Sequence, residues 1–248
     1  MLKYRIIPIL TFNGFALVKT KQFSNPRMVG NPVQSARVFN SRNVDELIFL
    51  DIFSTKQNRK INLKVAKEVI KECFMPVGIG GGINSLEDID NLLKIGADKV
   101  IIKTEAIKNP IFVKEASSFY GSQCISIAVD VLKENDQYVI YNSLGLVVTL
   151  EKFVKDVTFY GAGELILNSV THDGMMNGFD TELYNYVSNL CNIPIVNVGG
   201  GGNLDHFKDL FQQTKCDAVA ASSIFYFTQF TPLDIKATLK NLDKPVRL

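Results

Sequence analysis

The sequence predicts an α/β protein, a closed (β/α)8 TIM barrel with a two-fold half-barrel repeat. Three observations carry this. Eight short apolar runs alternate with amphipathic segments across 248 residues, and eight β-then-α units in that length describe a barrel. Most of the runs are continuous Val, Ile, Leu and Ala, as parallel strands covered by helices require. The chain also repeats itself. Val77-Gly78-Ile79-Gly80-Gly81-Gly82 is echoed by Val196-Asn197-Val198-Gly199-Gly200-Gly201-Gly202, with Gly80 and Gly199 119 positions apart. At the same offset Thr104 matches Ser223, segment 96–104 answers 215–223, and Asp130 corresponds to Thr11. Duplicated halves favour closure over an open doubly wound sheet. No linker divides the chain, so one domain over 1–248 is expected.

The predicted strands cover 5–10, 46–51, 76–79, 99–102, 124–131, 164–169, 194–198 and 218–221. Helical patterns lie between them. Segment 62–73 places Leu63, Val65, Ala66, Val69 and Ile70 on one face. Segment 85–94 opens with Ser85 and Asp88, a capping-box spacing. Segments 203–211 and 232–242 follow the last two strands. Two stretches break the rhythm. Residues 14–30 read as a long polar loop holding Lys19, Lys21 and Arg27. Residues 136–149 read as a β-hairpin, Tyr138 to Tyr141 and Leu144 to Val147, turning at Asn142-Ser143. Both follow strands, so both belong on the C-terminal face, where barrel active sites lie and long loops act as lids.

Composition narrows the function classes. Hydrophobic residues are 46% and charged residues 21%, which gives a globular chain. A net charge of +2 argues against nucleic acid as a partner. Cys73, Cys124, Cys191 and Cys216 have no paired spacing, so reduced thiols in a cytoplasmic protein are expected, with no metal and no cofactor. The N-terminal apolar run, residues 6–10, is too short for a secretion signal or a membrane span.

The glycine runs carry the clearest chemistry. Glycines between a strand end and a helix start let backbone N–H groups approach phosphate oxygens. Gly81 and Gly82 are paired with Thr104, beside Lys103; Gly200, Gly201 and Gly202 are paired with Ser222 and Ser223. Two such cradles flanking one axis suit a long substrate with a phosphate at each end. Asp51, Asp130 and Asp173, the last in Thr171-His172-Asp173-Gly174, stand at or after strand ends, where acid–base groups work. At least one of these carboxylates is expected to brace a loop instead. Asp130 is the strongest candidate because Ala128, Val129 and Val131 surround it. His172 lies near the mouth, and His206 on a predicted helix reads as packing. At the other end Arg5, Glu46, Lys99 and Glu164 each open a strand. On physical grounds alone they read as a stabilising salt-bridge ring.

At these residues the chain resembles the cyclase subunit of imidazole glycerol phosphate synthase, HisF. The resemblance rests on residues 1–8, 45–52, 77–83, 96–100, 161–165, 169–180 and 197–207, and spans nearly the whole chain. It implies a subunit that receives ammonia from a partner glutaminase (HisH-like) in a heterodimer. Ammonia then passes through the barrel, and a bis-phosphorylated ribonucleotide is cleaved and cyclised. It implies that Arg5, Glu46, Lys99 and Glu164 form the ammonia gate, that Asp98 faces the partner, and that Lys19 in the first loop binds substrate. It changes the reading of the ring from plain salt bridges to a gate.

The match is incomplete at the mouth. The family uses two aspartates. Asp130 matches the second, and Thr11 occupies the place of the first. Lys103 stands where the family has Asn; Val198 and Thr171 replace a polar and an acidic residue. A threonine hydroxyl has no useful pKa for proton transfer near neutrality. Similar divergent copies are associated with surface-polysaccharide clusters, beside a sugar amidotransferase. Three readings follow: an ammonia-channelling subunit serving sugar amidation or amidination, a histidine-pathway cyclase in which Asp51 or Asp173 covers for the missing aspartate, and a non-enzymatic phosphate-binding scaffold.

Overall fold

A computed structural model describes residues 3–247. One sheet contains β1 (Arg5–Phe12), β2 (Leu17–Lys21), β3 (Ser24–Gly30), β4 (Leu47–Asp51), β5 (Val77–Gly80) and β6 (Lys99–Ile102). It continues with β7 (Ile125–Glu134), β8 (Gln137–Ile140), β9 (Glu164–Ser169), β10 (Ile195–Val198) and β11 (Ala218–Ala221). Strands β1, β4, β5, β6, β7, β9, β10 and β11 pair in parallel in that order. β11 returns to β1 through Arg5 opposite Ala218 and Pro8 opposite Ala221, which closes the barrel. Its helices are α1 (Pro32–Ser41), α2 (Leu63–Lys71), α3 (Leu86–Lys94), α4 (Thr104–Lys108), α5 (Ile111–Tyr120), α6 (Leu150–Phe159), α7 (Thr181–Ser188), α8 (Leu204–Gln213), α9 (Ser223–Phe227) and α10 (Pro232–Lys240). The predicted capping box is present at α3: Ser85 accepts from the Asp88 N–H at 3.2 Å, and Asp88 accepts from the Ser85 N–H at 3.1 Å.

Strand alternation sorts side chains into two cores. Ile6, Leu10, Leu47, Phe49, Ile79 and Val100 face outward and pack under the helices. Ile7, Ile9, Ile48, Ile101, Ile166, Val196, Ala218 and Ala220 face inward, with Ala128 and Leu50 beside them. Smaller residues interrupt this inner layer on three strands: Ala128 on β7, Ala218 and Ala220 on β11, and Gly78 and Gly80 on β5. The 119-residue repeat survives in three dimensions: β6 at 99–102 corresponds to β11 at 218–221, and α4 at 104–108 to α9 at 223–227.

Two sequence expectations are corrected. Residues 14–30 are not a loop but a two-stranded ribbon, β2 against β3, turning through Gln22 and Phe23, both in the left-handed region. The second lid does not turn at Asn142-Ser143. β7 runs on to Glu134, and the chain reverses at Asn135 (φ 46°) and Asp136 (φ 62°) into β8. Asn and Asp tolerate left-handed backbone at modest cost, and two such residues in series twist with the flanking strands. The expected second arm, 144–147, is not a strand; past it, Thr149 makes an isolated bridge to Val139 of β8. Asn142 organises this stretch through its amide, accepting from the N–H groups of Leu144 and Leu146 at 3.2 and 3.0 Å.

Candidate functional site

The C-terminal ends of the barrel strands enclose a cavity of about 590 Å³. Every residue that the sequence proposes for catalysis or substrate binding lines it except Gly202. The Gly202 N–H is directed instead to His206 Nδ1, 3.2 Å away. His206, half-buried on α8, uses Nδ1 for this contact and lies outside the cavity lining. His172 is also outside the cavity lining; its Nδ1 lies 2.9 Å from the Ser169 hydroxyl.

Each glycine turn holds two consecutive glycines at positive φ directly after its strand, one position out of register with the 119-residue repeat. Gly81 (φ 139°) and Gly82 (φ 68°) follow β5, and Gly199 (φ 96°) and Gly200 (φ 109°) follow β10. Only glycine fits two of these positions. A Cβ on Gly82 would sit 2.6 Å from the Arg59 carbonyl oxygen, and one on Gly200 1.8 Å from that of Gly178. Beside each turn a helix begins after a residue of the same unusual conformation, Lys103 (φ −123°, ψ −75°) before Thr104 and Ser222 (φ −139°, ψ −61°) before Ser223. The Ser222 hydroxyl donates to the Ile9 carbonyl at 2.6 Å.

Asp130 points inward from β7. Lys103 Nζ lies 2.6 Å from its Oδ2, and Asn168 Nδ2 donates to its Oδ1 at 2.9 Å. Asn168 was not proposed from sequence. Its signal was present, since Glu164, Ile166 and Asn168 alternate along one face of β9. Its Oδ1 is buried without a partner among the described residues. Thr11 also lines the cavity, and its hydroxyl donates to the Val18 carbonyl of the ribbon. Asp51 is the carboxylate that braces. Arg59 grips both its oxygens at 2.5 and 2.9 Å, and the N–H groups of Phe53 and Ser54 donate to Oδ1. Arg59, eight residues on in an irregular loop, was also missed.

Lys19 and Asp173 face each other from the ribbon and the loop after β9. These segments are sewn together: the Gln22 N–H donates to the Asp173 carbonyl at 2.9 Å, and Gln22 Nε2 donates to that of Thr171 at 2.9 Å. Burial lowers the Lys19 ammonium pKa, partly opposed by Asp173. Burial raises the Asp173 carboxyl, with Asp130 adding to the rise and Lys19 opposing it. The Lys19 shift gives a sign for stability. Between its depressed folded value and about 10.4, the unfolded chain holds more protons, so stability climbs with pH. Lys19→Met removes that climb. Urea melts at about pH 7 and pH 9.5 are expected to show the wild type gaining on the variant as pH rises; parallel changes would count against it.

At the opposite end the four strand-opening charges form a closed ring. Arg5 contacts Glu46 at 3.0 Å and Glu164 at 2.8 Å; Lys99 contacts the same two at 2.9 and 3.1 Å. The Ser126 hydroxyl adds a bond to Glu164 at 3.3 Å. Burial raises the Glu46 carboxyl pKa, Lys99 opposes this, and Glu164 adds to it. Asp98 is exposed beside the ring, and its Oδ2 accepts from the Val77 N–H at 2.8 Å. The thiols of Cys73 and Cys216 are pushed up to about 12 by burial, which makes them poor nucleophiles.

Fold and site together define the class of duplicated (β/α)8 barrels with a cavity at the strand C-termini and an ion-paired ring at the base. The family described as "Histidine biosynthesis protein" matches residues 5–231. The chain is 42% identical over its full length to the whole imidazole glycerol phosphate synthase subunit HisF of Staphylococcus saprophyticus, and 38% to that of Streptococcus mutans. It is 40% identical, over its full length and 92% of the other chain, to the putative imidazole glycerol phosphate synthase subunit hisF2 of Vibrio vulnificus. The chain belongs to the HisF family of imidazole glycerol phosphate synthase subunits. No helix among the described residues is long and apolar enough to cross a membrane.

Proposed function

We propose that this chain is the synthase subunit of a two-protein glutamine amidotransferase. Ammonia enters through the ring of Arg5, Glu46, Lys99 and Glu164, travels the barrel axis and meets a phosphorylated substrate in the upper cavity. The observation that carries this is the stacking of three layers on one axis: a hydrogen-bonded charged ring, an apolar layer of mostly Ile and Val with Ala128, Ala218 and Ala220, and a cavity lined by Asp130, Lys103 and both glycine turns. An apolar passage delivers ammonia neutral, with its lone pair free, where bulk water would protonate it. A glutaminase docks on the ring face, over Asp98. Phe74, Phe119 and Phe159, which are 94%, 73% and 85% exposed, stand near helix C-termini on that side and supply apolar anchor area.

The mouth favours an acceptor other than the histidine-pathway substrate. Thr11 offers no carboxylate, and both oxygens of Asp130 are engaged by Lys103 and Asn168. Asp51, held by Arg59, is a poor substitute. We place the acceptor among the sugars of surface-polysaccharide synthesis, with a sugar amidotransferase taking the ammonia onward. The competing reading is an active cyclase of histidine biosynthesis, favoured by the full-length identity to HisF subunits and by Asp173 in the cavity. A non-enzymatic scaffold is the weakest, since both cradles and Asp130 are intact.

Phosphate binding is tested directly. Crystals soaked in concentrated sulfate are expected to hold an anion at Gly82 with Thr104, and another at Gly201 with Ser222 or Ser223. Two empty cradles would overturn the phosphate reading.

A further inference from the structure

The residues that open α4 and α9 beside the cradles match in backbone and differ in charge. All six cationic side chains lining the cavity, Lys19, Lys56, Arg59, Lys60, Lys103 and Lys108, come from the first 108 residues. The lining from residue 128 onward contributes Asp130 and Asp173 but no Lys or Arg. Arg27, a cation near α9, sits over the Phe227 ring and does not line the cavity. Some of the first-half charge is spent locally: Arg59 on Asp51, and Lys60 on Asp88 and Asn84. Glu105 subtracts one more. Lys19 faces Asp173, which leaves Lys56, Lys103 and Lys108; of these Lys103, which also contacts Asp130 at 2.6 Å, adjoins Thr104.

The half-barrel repeat makes the contrast sharp. Lys103 and Ser222 occupy equivalent positions with the same backbone conformation. One presents an ammonium, the other a hydroxyl already donating to Ile9. An ammonium has three donors, and Asp130 accepts from one of them. The others have no hydrogen-bond partner among the described residues, and Lys103, Gly81 and Gly82 line the same cavity. Bonds with a charged donor are roughly twice as strong as neutral ones.

We infer that the cradles are unequal and that Lys103 directs the more highly charged phosphoryl end of the substrate to the Gly81–Gly82 side. The substrate class that follows is an elongated metabolite carrying a phosphate monoester or diphosphate at one end and a less charged group at the other. This rests on the phosphate reading above. Bound one way round, such a substrate always presents the same atoms to ammonia at the axis.

Calorimetric titration of inorganic phosphate, then pyrophosphate, into the purified chain at about pH 8 separates the claims. The wild type is expected to show two sites at least about tenfold apart, with pyrophosphate favouring the tighter. Lys103→Gln weakens the tight site about tenfold and spares the other. Ser222→Lys strengthens the weak one. Circular dichroism checks that both variants are folded. No binding to any of the three proteins overturns the phosphate reading and this inference together. Two equal sites, or a tight site indifferent to Lys103→Gln, overturn this inference alone.

Discussion

Reversing Asp98 and Lys99 together, as Asp98→Lys with Lys99→Glu, is expected to weaken association with the glutaminase by about 100-fold or more, roughly 3 kcal/mol. Lys99 bridges Glu46 and Glu164, so its reversal opens the ring and sets three carboxylates against each other. Asp98 contributes differently. It is exposed, and reversal there changes the face a partner meets while losing one bond to Val77. The single variants separate these effects. Asp98→Lys is expected to weaken docking with little change in thermal stability, and Lys99→Glu to lower both. Removing one member of a buried ion pair costs about 3–5 kcal/mol. Surface plasmon resonance and thermal melts read the two quantities. Docking unaffected by the double reversal would remove the ring face as the interface.

The second large effect belongs to Thr11. Positioned acid–base groups typically supply about 10²–10⁴-fold. Thr11→Asp is expected to raise cyclase turnover with ammonium salt by part of that range. Recovery stays partial for reasons visible at the mouth. Lys103 holds one oxygen of Asp130 at 2.6 Å and Asn168 the other, so neither oxygen is free to meet substrate even when a second carboxylate is present. Val198 lines the cavity where a polar group is missing, and the buried Thr171 hydroxyl has no partner among the described residues. Thr11→Asp combined with Lys103→Asn is therefore expected to exceed either single change. A rescue that needs only Thr11→Asp would show that Lys103 does not restrain Asp130.

Much of this geometry was readable from sequence because it follows from alternation and repetition. Continuous apolar runs placed the eight barrel strands within a few residues, since parallel strands buried on both faces leave few alternatives. The repeated glycine runs located two glycine turns that line the cavity, and charged residues at strand starts located the ring. What stayed hidden depends on contacts between segments that share no local pattern. The β2–β3 ribbon turns at Gln22-Phe23, which carries no turn signal, and its residues 19–28 are mostly polar without alternation. Arg59 reaches Asp51 from an irregular loop. Lys236, fully buried on α10, is held by the Asn43 carbonyl and Asp45 at 2.7 and 2.8 Å, across more than 190 residues. Nothing in helix periodicity marks a buried lysine. The exchange of Asn for Lys at 103 was legible as a departure, but its partner Asp130 required the register of β6 beside β7.

In the proposed function the barrel keeps its ring and glycine turns while losing the histidine-pathway chemistry at the mouth. The most direct measurement is turnover of the bis-phosphorylated ribonucleotide by the purified wild-type chain with ammonium salt, beside the Staphylococcus saprophyticus relative under the same conditions. Imidazole glycerol phosphate formation is expected to be at least about 100-fold slower than in the relative, or absent. Turnover equal to the relative, abolished by Asp130→Asn and indifferent to Thr11→Asp, would contradict this reading and make the chain a histidine-pathway cyclase.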